Sequence, residues 1–232
     1  MKFQTEVKDI VQRNSQVKSF RFPRPLKFDY DPGQWMFVTI SINGEWKTKH
    51  FTISSSPTEP DHIEFTKKIT DHEFSVALDA LESGAAAIID GPYGEFTFKG
   101  QFPKVGMITG GIGITPFRSM IRYSTDRSSP SEITLLYGNR NEESIVFKEE
   151  LEELQQNNPH LKVVHCLSRP GDGWRGRRGH VDGQTVADEI PDYHEREFFV
   201  CGPPALVTDL SRALSTLQVP EERIRIEHFT GY

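Results

Sequence analysis

The chain is short of cysteine: its 232 residues include two, Cys166 and Cys201. Two thiols cannot build a disulfide framework, and they cannot hold an iron–sulfur cluster that takes four cysteine ligands. Such usage suits a reducing compartment. An excess of positive charge is also lacking. With 27 Lys and Arg against 33 Asp and Glu the net charge is −6, a poor footprint for a nucleic-acid binder. No apolar run approaches the ~20 residues of a membrane-spanning helix, and the opening Met1–Ile10 stretch has no signal-peptide apolar core. A soluble, cytoplasmic protein is expected. The Gly-x-Ser-x-Gly elbow of hydrolases is absent. No pair among the eight histidines has metal-ligand spacing with a nearby cysteine or carboxylate. What is present is a core-forming composition, 36% hydrophobic and 11% aromatic, which argues against disorder.

The length allows one large domain or two small ones. Two grammars divide it. Up to about residue 100 the chain reads as strands. In Trp35–Ile42, Val38, Ile40 and Ile42 alternate onto one face, between the turn signals Asp31-Pro32-Gly33 and Asn43-Gly44. Phe3–Val11, Val17–Phe22, His50–Ser55, His62–Ile69 and Ala86–Asp90 are further strands. A short helix over Ser75–Glu82 stops at Gly84. Closely spaced strands predict an antiparallel sheet or small barrel. Beyond residue 100, strands and helices alternate. Val105–Thr109, Ile133–Tyr137, Leu161–Leu167, Glu197–Cys201 and Ile224–Glu227 are strands, and Pro116–Tyr123, Ile145–Gln155 and Pro204–Leu217 are helices. That alternation predicts a five-stranded parallel sheet in an α/β domain covered on both sides. The join falls near Lys99–Lys104. The Glu-rich 142–153 stretch reads as a solvated helix face.

Four segments carry chemistry. The sharpest is Thr109-Gly110-Gly111-Ile112-Gly113-Ile114-Thr115-Pro116, which follows a strand and opens a helix. Glycines let a backbone approach a bulky anion, and free N–H groups at a helix start favour phosphate. A tight strand-to-helix turn is the alternative. Neither the Gly-x-Gly-x-x-Gly fingerprint nor a Walker lysine is present. Lys49-His50-Phe51-Thr52-Ile53-Ser54 joins a cation, an aromatic and hydroxyls at a strand end, where an ordinary strand with a polar tail is the alternative. Asp90-Gly91-Pro92-Tyr93-Gly94 alone is a turn. Phe199-Val200-Cys201-Gly202-Pro203-Pro204 runs a strand into a helix through small residues, and its cysteine could equally be a buried structural one.

These segments, in this order and over almost the whole chain, resemble the ferredoxin–NADP reductase-like family of FAD- and NAD(P)H-binding oxidoreductases. The resemblance implies an antiparallel β-barrel FAD-binding domain over residues 1–100. It implies a Rossmann-like NAD(P)H-binding domain over 101–232. The family's flavin motif reads Arg-x-Tyr-Ser/Thr, and Lys49, Phe51 and Thr52 stand at its positions. Lys49 would then balance the FAD diphosphate as a point charge without a guanidinium fork. Phe51 would pack on the flavin without a phenol oxygen, and Thr52 would set its hydroxyl near N5. Ser54, Lys68, Phe74 and Ser75 complete the implied flavin site, with Ser75 either at a diphosphate-binding helix start or a plain N-cap. Gly110, Gly111, Gly113, Thr115 and Pro116 would form the pyrophosphate loop for NADP(H) or NAD(H). Arg140, Ser168 and Arg169 end two strands where a 2′-phosphate would lie. Arg175, Arg177 and Arg178 are alternatives for that role. Cys201 and Gly202 would flank the nicotinamide, with Glu227 a neighbour. Tyr232 or Phe229 would cover the flavin.

The implied reaction moves hydride between nicotinamide and flavin N5, then electrons to a separate carrier such as ferredoxin or flavodoxin. Residues 1–58 carry nine Lys or Arg against five Asp or Glu, and a basic face there would suit an acidic carrier. An electron-transfer subunit of a larger complex and a nucleotide-sensing module without turnover are the competing readings.

Overall fold

The computed structural model describes residues 1–229. The chain divides into two compact units, the first comprising 1–99 with 115–123, the second 100–114 with the chain from Ser124 onward.

In the first unit the strands are β1 (Lys2–Glu6), β2 (Asp9–Asn14), β3 (Val17–Pro23), β4 (Trp35–Ile42), β5 (Glu45–Thr52), β6 (His62–Lys68) and β7 (Ala86–Tyr93), with helix α1 (Glu73–Asp79) between the last two. They form two antiparallel sheets, ordered β1-β7-β4-β5 and β2-β3-β6. Inward residues of both, among them Met36, Val38, Ile40, Ile89, Phe20, Phe22 and Phe65, build one core. Phe65 stacks on Phe20 at 5.0 Å.

Two predicted boundaries move. The segment read as one strand, Phe3–Val11, is two strands in different sheets. The chain turns the corner at Val7, whose N–H donates to the Ala85 carbonyl, and at Lys8, whose N–H donates to that of Arg21. The strand read as His50–Ser55 begins earlier, at Glu45. Asn43 and Gly44 both take positive φ, 53° and 85°, and make a two-residue hairpin. Its polar second arm, Glu45–His50, is mostly exposed on both faces, so it has no period-2 signal.

The outer face of the three-stranded sheet is polar yet covered. Glu64 is fully buried. It accepts hydrogen bonds from Arg13 at 2.9 Å, Arg21 at 2.8 Å and the Ser54 hydroxyl at 3.0 Å. Burial alone would raise its carboxyl, but Arg118, Arg13 and Arg21 outweigh burial and hold it below the usual carboxylate range.

The second unit has strands β8 (Lys104–Gly110), β9 (Glu132–Asn139), β10 (Leu161–Leu167), β11 (Arg177–Arg178), β12 (Glu197–Gly202) and β13 (Ile224–His228). All pair in parallel, in the order β11-β10-β9-β8-β12-β13. The helices are α2 (Thr115–Asp126), whose first nine residues belong to the first unit, α3 (Lys148–Asn157), α4 (Gly183–Glu189) and α5 (Pro204–Thr216). The antiparallel and parallel halves read from sequence are both present. The sheet has six strands rather than five, because β11 pairs through two residues, Arg177 and Arg178. So short a strand carries no periodicity. Val105 to Thr109 are all buried, as befits a strand covered on both faces. Val186, Val207, Leu210 and Leu214 cover Ile108, Leu136, Phe198 and Val200 on one of them. Among the described residues no helix is long and apolar enough to cross a membrane.

Replacing Glu64 by Ala takes from the half-buried Arg13 and Arg21 the buried carboxylate they share, leaving Arg21 only Asp9 at 3.5 Å. We expect a loss of about 2–3 kcal/mol at pH 7 in urea unfolding. Because the folded carboxyl is held low, this deficit should shrink as the pH falls below the ordinary carboxylate range. A pH-independent deficit would show that the charge is not what matters.

Candidate functional site

In the first unit, the β4–β5 register pairs Val38 with Lys49 and Met36 with Phe51. Cross-strand partners share a face, so Lys49 and Phe51 lie on the core side of the sheet at its edge. Phe51 is half-buried. It stacks on Phe65 at 4.4 Å with an interplanar angle of 18°, and Phe74 of α1 lies 5.9 Å away. Phe51 therefore ends a stack of phenylalanine rings that begins in the core. Lys47 also lies on this face, and its ammonium is held by Glu73 at 2.7 and 2.8 Å. Lys49 is exposed and has no side-chain partner among the described residues. Thr52, paired with Trp35, points to the opposite face and is 8% exposed.

The remaining flavin-segment residues separate. Ser54 is fully buried, and its hydroxyl donates to Glu64 and shares a hydrogen bond of 2.8 Å with Thr66. It braces the strand's continuation. Ser75 is the third residue of α1, not its cap. The cap position is His72, and the Ser75 hydroxyl accepts the Thr70 N–H at 2.8 Å. The adjacent lysines of β6 alternate. Lys68 is exposed on the far face, while Lys67 is buried on the face of Phe65, with its ammonium pushed below the usual lysine range by burial and then by Lys68. A half-buried aromatic beside an exposed ammonium, with a hydroxyl at the strand end, fits a planar heteroaromatic ring carrying a phosphate chain.

In the second unit the chain runs from β8 to β9, β10 and β11 on one side, then returns to β12 and β13 on the other. The C-terminal end of β8 is thus the topological switch point, where open parallel sheets bind ligands. The glycine segment lies there, as the end of β8 and a 3-10 turn over Gly111–Ile114. Its three glycines differ. A Cβ on Gly113 would meet Thr109 Oγ1 at 2.6 Å and the Cys201 carbonyl oxygen at 3.0 Å, so this glycine is needed for close packing. One on Gly110 would meet Leu206 at 3.0 Å. Gly111 has φ +55° and nothing within 4 Å of its Cβ position. It is the open, left-handed position that a phosphate could approach. Tyr137 of β9 steadies it. The Tyr137 hydroxyl donates to the Gly111 carbonyl at 2.9 Å and accepts the Val146 N–H at 3.3 Å. Thr115 and Pro116 open α2, where Thr115 is 2% exposed.

Beside this loop, Cys201 is fully buried, and Gly202 takes φ +151°. The Phe229 N–H donates to the Gly202 carbonyl at 2.9 Å. Cys201 pairs in register with Glu227, and its Sγ lies 4.0 Å from the Glu227 carboxylate. Burial, then the carboxylate, pushes the thiol well above its ordinary value. Burial pushes the Glu227 carboxyl up to about 7. The pair is therefore a neutral thiol beside a group that carries a proton near neutrality.

At the ends of β9 and β10 the backbones are stitched together. The Ser168 N–H donates to the Asn139 carbonyl at 3.0 Å, and the Arg169 N–H to that of Arg140 at 2.7 Å. The Arg140 and Arg169 side chains are exposed. The neighbouring arginines are not equivalent. Arg177 is held by Asp188 and Glu189, and Arg178 donates to the carbonyls of Gly171 and Trp174. Arg140, Arg169 and the exposed Arg175 remain for an anion. Tyr232 lies outside the described residues.

Sequence reasoning gave Tyr137 no role, and from the segment Phe65-Thr66-Lys67-Lys68 it chose Lys68 where Lys67 shares the face of Phe65. Tyr137 is an aromatic inside an apolar strand, so its hydroxyl gave no signal. Counting alternation from Phe65 would have separated Lys67 from Lys68.

The pattern defining the oxidoreductase FAD-binding domain matches residues 2–98, and that of the oxidoreductase NAD-binding domain matches residues 107–212. The chain is 31% identical over 216 residues to the glycine betaine monooxygenase reductase subunit of Chromohalobacter salexigens, covering 89% of this chain and 58% of that protein. It thus spans little more than half the length of that subunit. It is 30% identical over 230 residues to NADH-cytochrome b5 reductase 1 of Dictyostelium discoideum, covering 96% and 80%. In fold it resembles the cytochrome b5 reductase domain of Ulva prolifera nitrate reductase, with TM-score 0.86 and 23% identity over 98% of this chain and 97% of that one.

The Glu227 carboxyl gives a pH test. Its folded value is raised, so its contribution is fully present below the ordinary carboxylate range and lost as the pH rises through about 7. Relative to Glu227→Gln, the wild-type chain should lose roughly 3 kcal/mol of stability between pH 4.5 and 8.5. Thermal melts of both across that range would read it; parallel curves would refute the buried acid.

Proposed function

Because the chain belongs to the ferredoxin–NADP reductase-like family of FAD- and NAD(P)-binding oxidoreductases, we propose that it is an NADPH-preferring reductase that delivers electrons to a separate carrier. The supporting observation is that one chain offers two ligand-shaped surfaces. Phe51 and Lys49 shape one, and the open Gly111 at the sheet's switch point shapes the other. We assign residues 1–100 to FAD and 101–232 to the nicotinamide dinucleotide. When bound, the two cofactors would supply the redox chemistry, a hydride transfer between nicotinamide and flavin.

The side chains bind and orient. Lys49 balances diphosphate charge as a mobile point charge. Phe51 offers a ring face already fixed by Phe65, which limits the entropy lost on stacking. Thr52 orients a ring edge through its hydroxyl. Lys67 joins this set, because it, rather than Lys68, shares the face of Phe51. Gly111 admits pyrophosphate, and the N–H groups opening α2, with Thr115, hold it. Cys201 packs against the nicotinamide. Glu227 beside it holds a proton on its carboxyl, so no fixed anion opposes the dinucleotide below about pH 7. Proximity and orientation are the main contributions expected of such a site.

The choice of NADPH rests on Arg140 and Arg169, two exposed guanidinium groups on adjacent stitched loops. Forked donors of this kind suit a 2′-phosphate. Arg177 is already neutralised by carboxylates, which narrows the candidates.

The carrier is less constrained than the charge count implies. Of the cations in residues 1–58, Arg13 and Arg21 bind Glu64, Lys18 binds Asp79 and Lys47 binds Glu73. Part of the segment's positive excess is therefore matched by carboxylates elsewhere in the fold, while Lys2, Lys8, Lys27 and Lys49 stay exposed. Ferredoxin or flavodoxin remains our proposed class of acceptor. A second reading, a subunit of a larger oxygenase system, is favoured by the 31% identity with the monooxygenase reductase subunit.

The purified protein should be yellow, release FAD, and bleach on anaerobic addition of NADPH. A colourless protein that does not take up added FAD would refute the reading. Arg140→Ala or Arg169→Ala should raise the KM for NADPH roughly tenfold more than that for NADH, as loss of one charge-assisted contact does. Equal losses for both nucleotides would exclude the 2′-phosphate assignment.

A further inference from the structure

We propose that Arg118, with Ser119, is a positioning residue for hydride transfer: it ties the first turn of α2, which opens with Thr115, to the backbone just beyond Thr52. This rests on the reductase reading above and adds a residue that no motif carries.

After Thr52 the chain leaves its sheet through Ile53, Ser54, Ser55 and Ser56, all fully buried. Two carbonyls of this tail are captured by α2. The Arg118 guanidinium donates to the Ser54 carbonyl at 2.9 Å, and the Ser119 hydroxyl donates to the Ser55 carbonyl at 2.7 Å. Arg118 also forks onto both oxygens of Glu59, one of them at 3.0 Å. Glu59 in turn accepts the Ser56 N–H at 2.6 Å. Burial would raise the Glu59 carboxyl, but Arg118 outweighs it and keeps the pair ionic. The Arg118 side chain is 3% exposed, so it is not a surface ion pair of negligible effect.

Thr115 and Arg118 are three residues apart on one helix, about 4.5 Å along its axis. Thr52 and Ser54 are two residues apart on the other element. Bonds to two consecutive carbonyls, Ser54 and Ser55, fix angle as well as distance, and the fork onto Glu59 closes on the same tail through the Ser56 N–H. The hydroxyl proposed for pyrophosphate and the hydroxyl proposed for the flavin edge are thus held in one rigid frame, in which Arg118 is the fastener. The frame explains why residues 115–123 group with the flavin-type unit although they follow the nucleotide loop. Neither Arg118 nor Ser119 is assigned a contact with either cofactor.

The test is anaerobic stopped-flow reduction of the FAD-loaded protein by NADPH and by its C4-deuterated form. The variants are Arg118→Met, Arg118→Lys and Ser119→Ala. Arg118→Met should keep its FAD and bind NADPH within about threefold of wild type. Its limiting rate of flavin reduction should fall on the order of a hundredfold, the cost of a misplacement of about 1 Å. The deuterium isotope effect should change with it, which a merely structural role would not produce. Arg118→Lys keeps the charge without the fork and should fall between the two. Should Arg118→Met lose FAD or fail to fold, Ser119→Ala and Arg118→Lys decide, since neither leaves a buried charge without a counter-charge. Slowed reduction at unchanged affinity in either supports the proposal, and wild-type rates in both overturn it. Wild-type protein that neither nucleotide bleaches would instead refute the reductase reading itself.

Discussion

A carboxylate with no exposure cannot be left unmatched in a protein interior, and Glu64 is such a group. Arg13 on β2 and Arg21 on β3 must reach it, which fixes the outer face of the three-stranded sheet. Ser54 and Thr66 must turn their hydroxyls into the same cluster, which fixes the path of the chain beyond β5. The inner face of that sheet carries Phe20, Phe22 and Phe65 instead. One sheet thus has an ionic side and an aromatic side, both buried, and the flavin segment is located by the two together. Phe51 is stacked from one side, and its continuation is bonded from the other.

The second unit is organised by different means. Its central strand is apolar on both faces, so the strand itself needs no polar register. The geometry of its ligand end comes from the absence of side chains. Gly113 lets the loop touch the Cys201–Gly202 turn, and Gly111 leaves space. Tyr137, the buried Cys201 and the half-buried Glu227 are the groups that surround it. Two glycines of one loop, Gly113 and Gly111, therefore perform opposite tasks, close packing and accessibility, which composition cannot distinguish.

The motifs were legible because they depend on residue type at fixed spacing. The glycine run, the Lys49–Thr52 segment and the Cys201-Gly202 step each restrict chemistry locally, and strand–helix alternation announced the parallel sheet. What was not legible depends on residues distant in sequence. Arg118 belongs to none of the motifs, yet its partners are Ser54 and Glu59, far away in sequence. Ser75 looked like a helix cap, but the helix starts two residues earlier and its hydroxyl holds Thr70. The positive excess of residues 1–58 looked like a surface, and two of its cations, Arg13 and Arg21, proved to be counter-charges to the buried Glu64.

By itself the sequence determined the class of fold and the place of the glycine loop, because periodicity, turn chemistry and short motifs are local properties of the chain; the pair of cofactors to expect came from the resemblance that the ordered motifs carry. Tertiary structure decided which of two adjacent lysines faces Phe51, which of several arginines remain available for an anion, and which carboxyl keeps a proton near pH 7. It also reduced the meaning of the two scarce cysteines to one each. Cys166 is core, and Cys201 sits beside a half-buried acid at the sheet's switch point. Those outcomes follow from burial and from partners brought together across the fold, neither of which exists until the chain has folded.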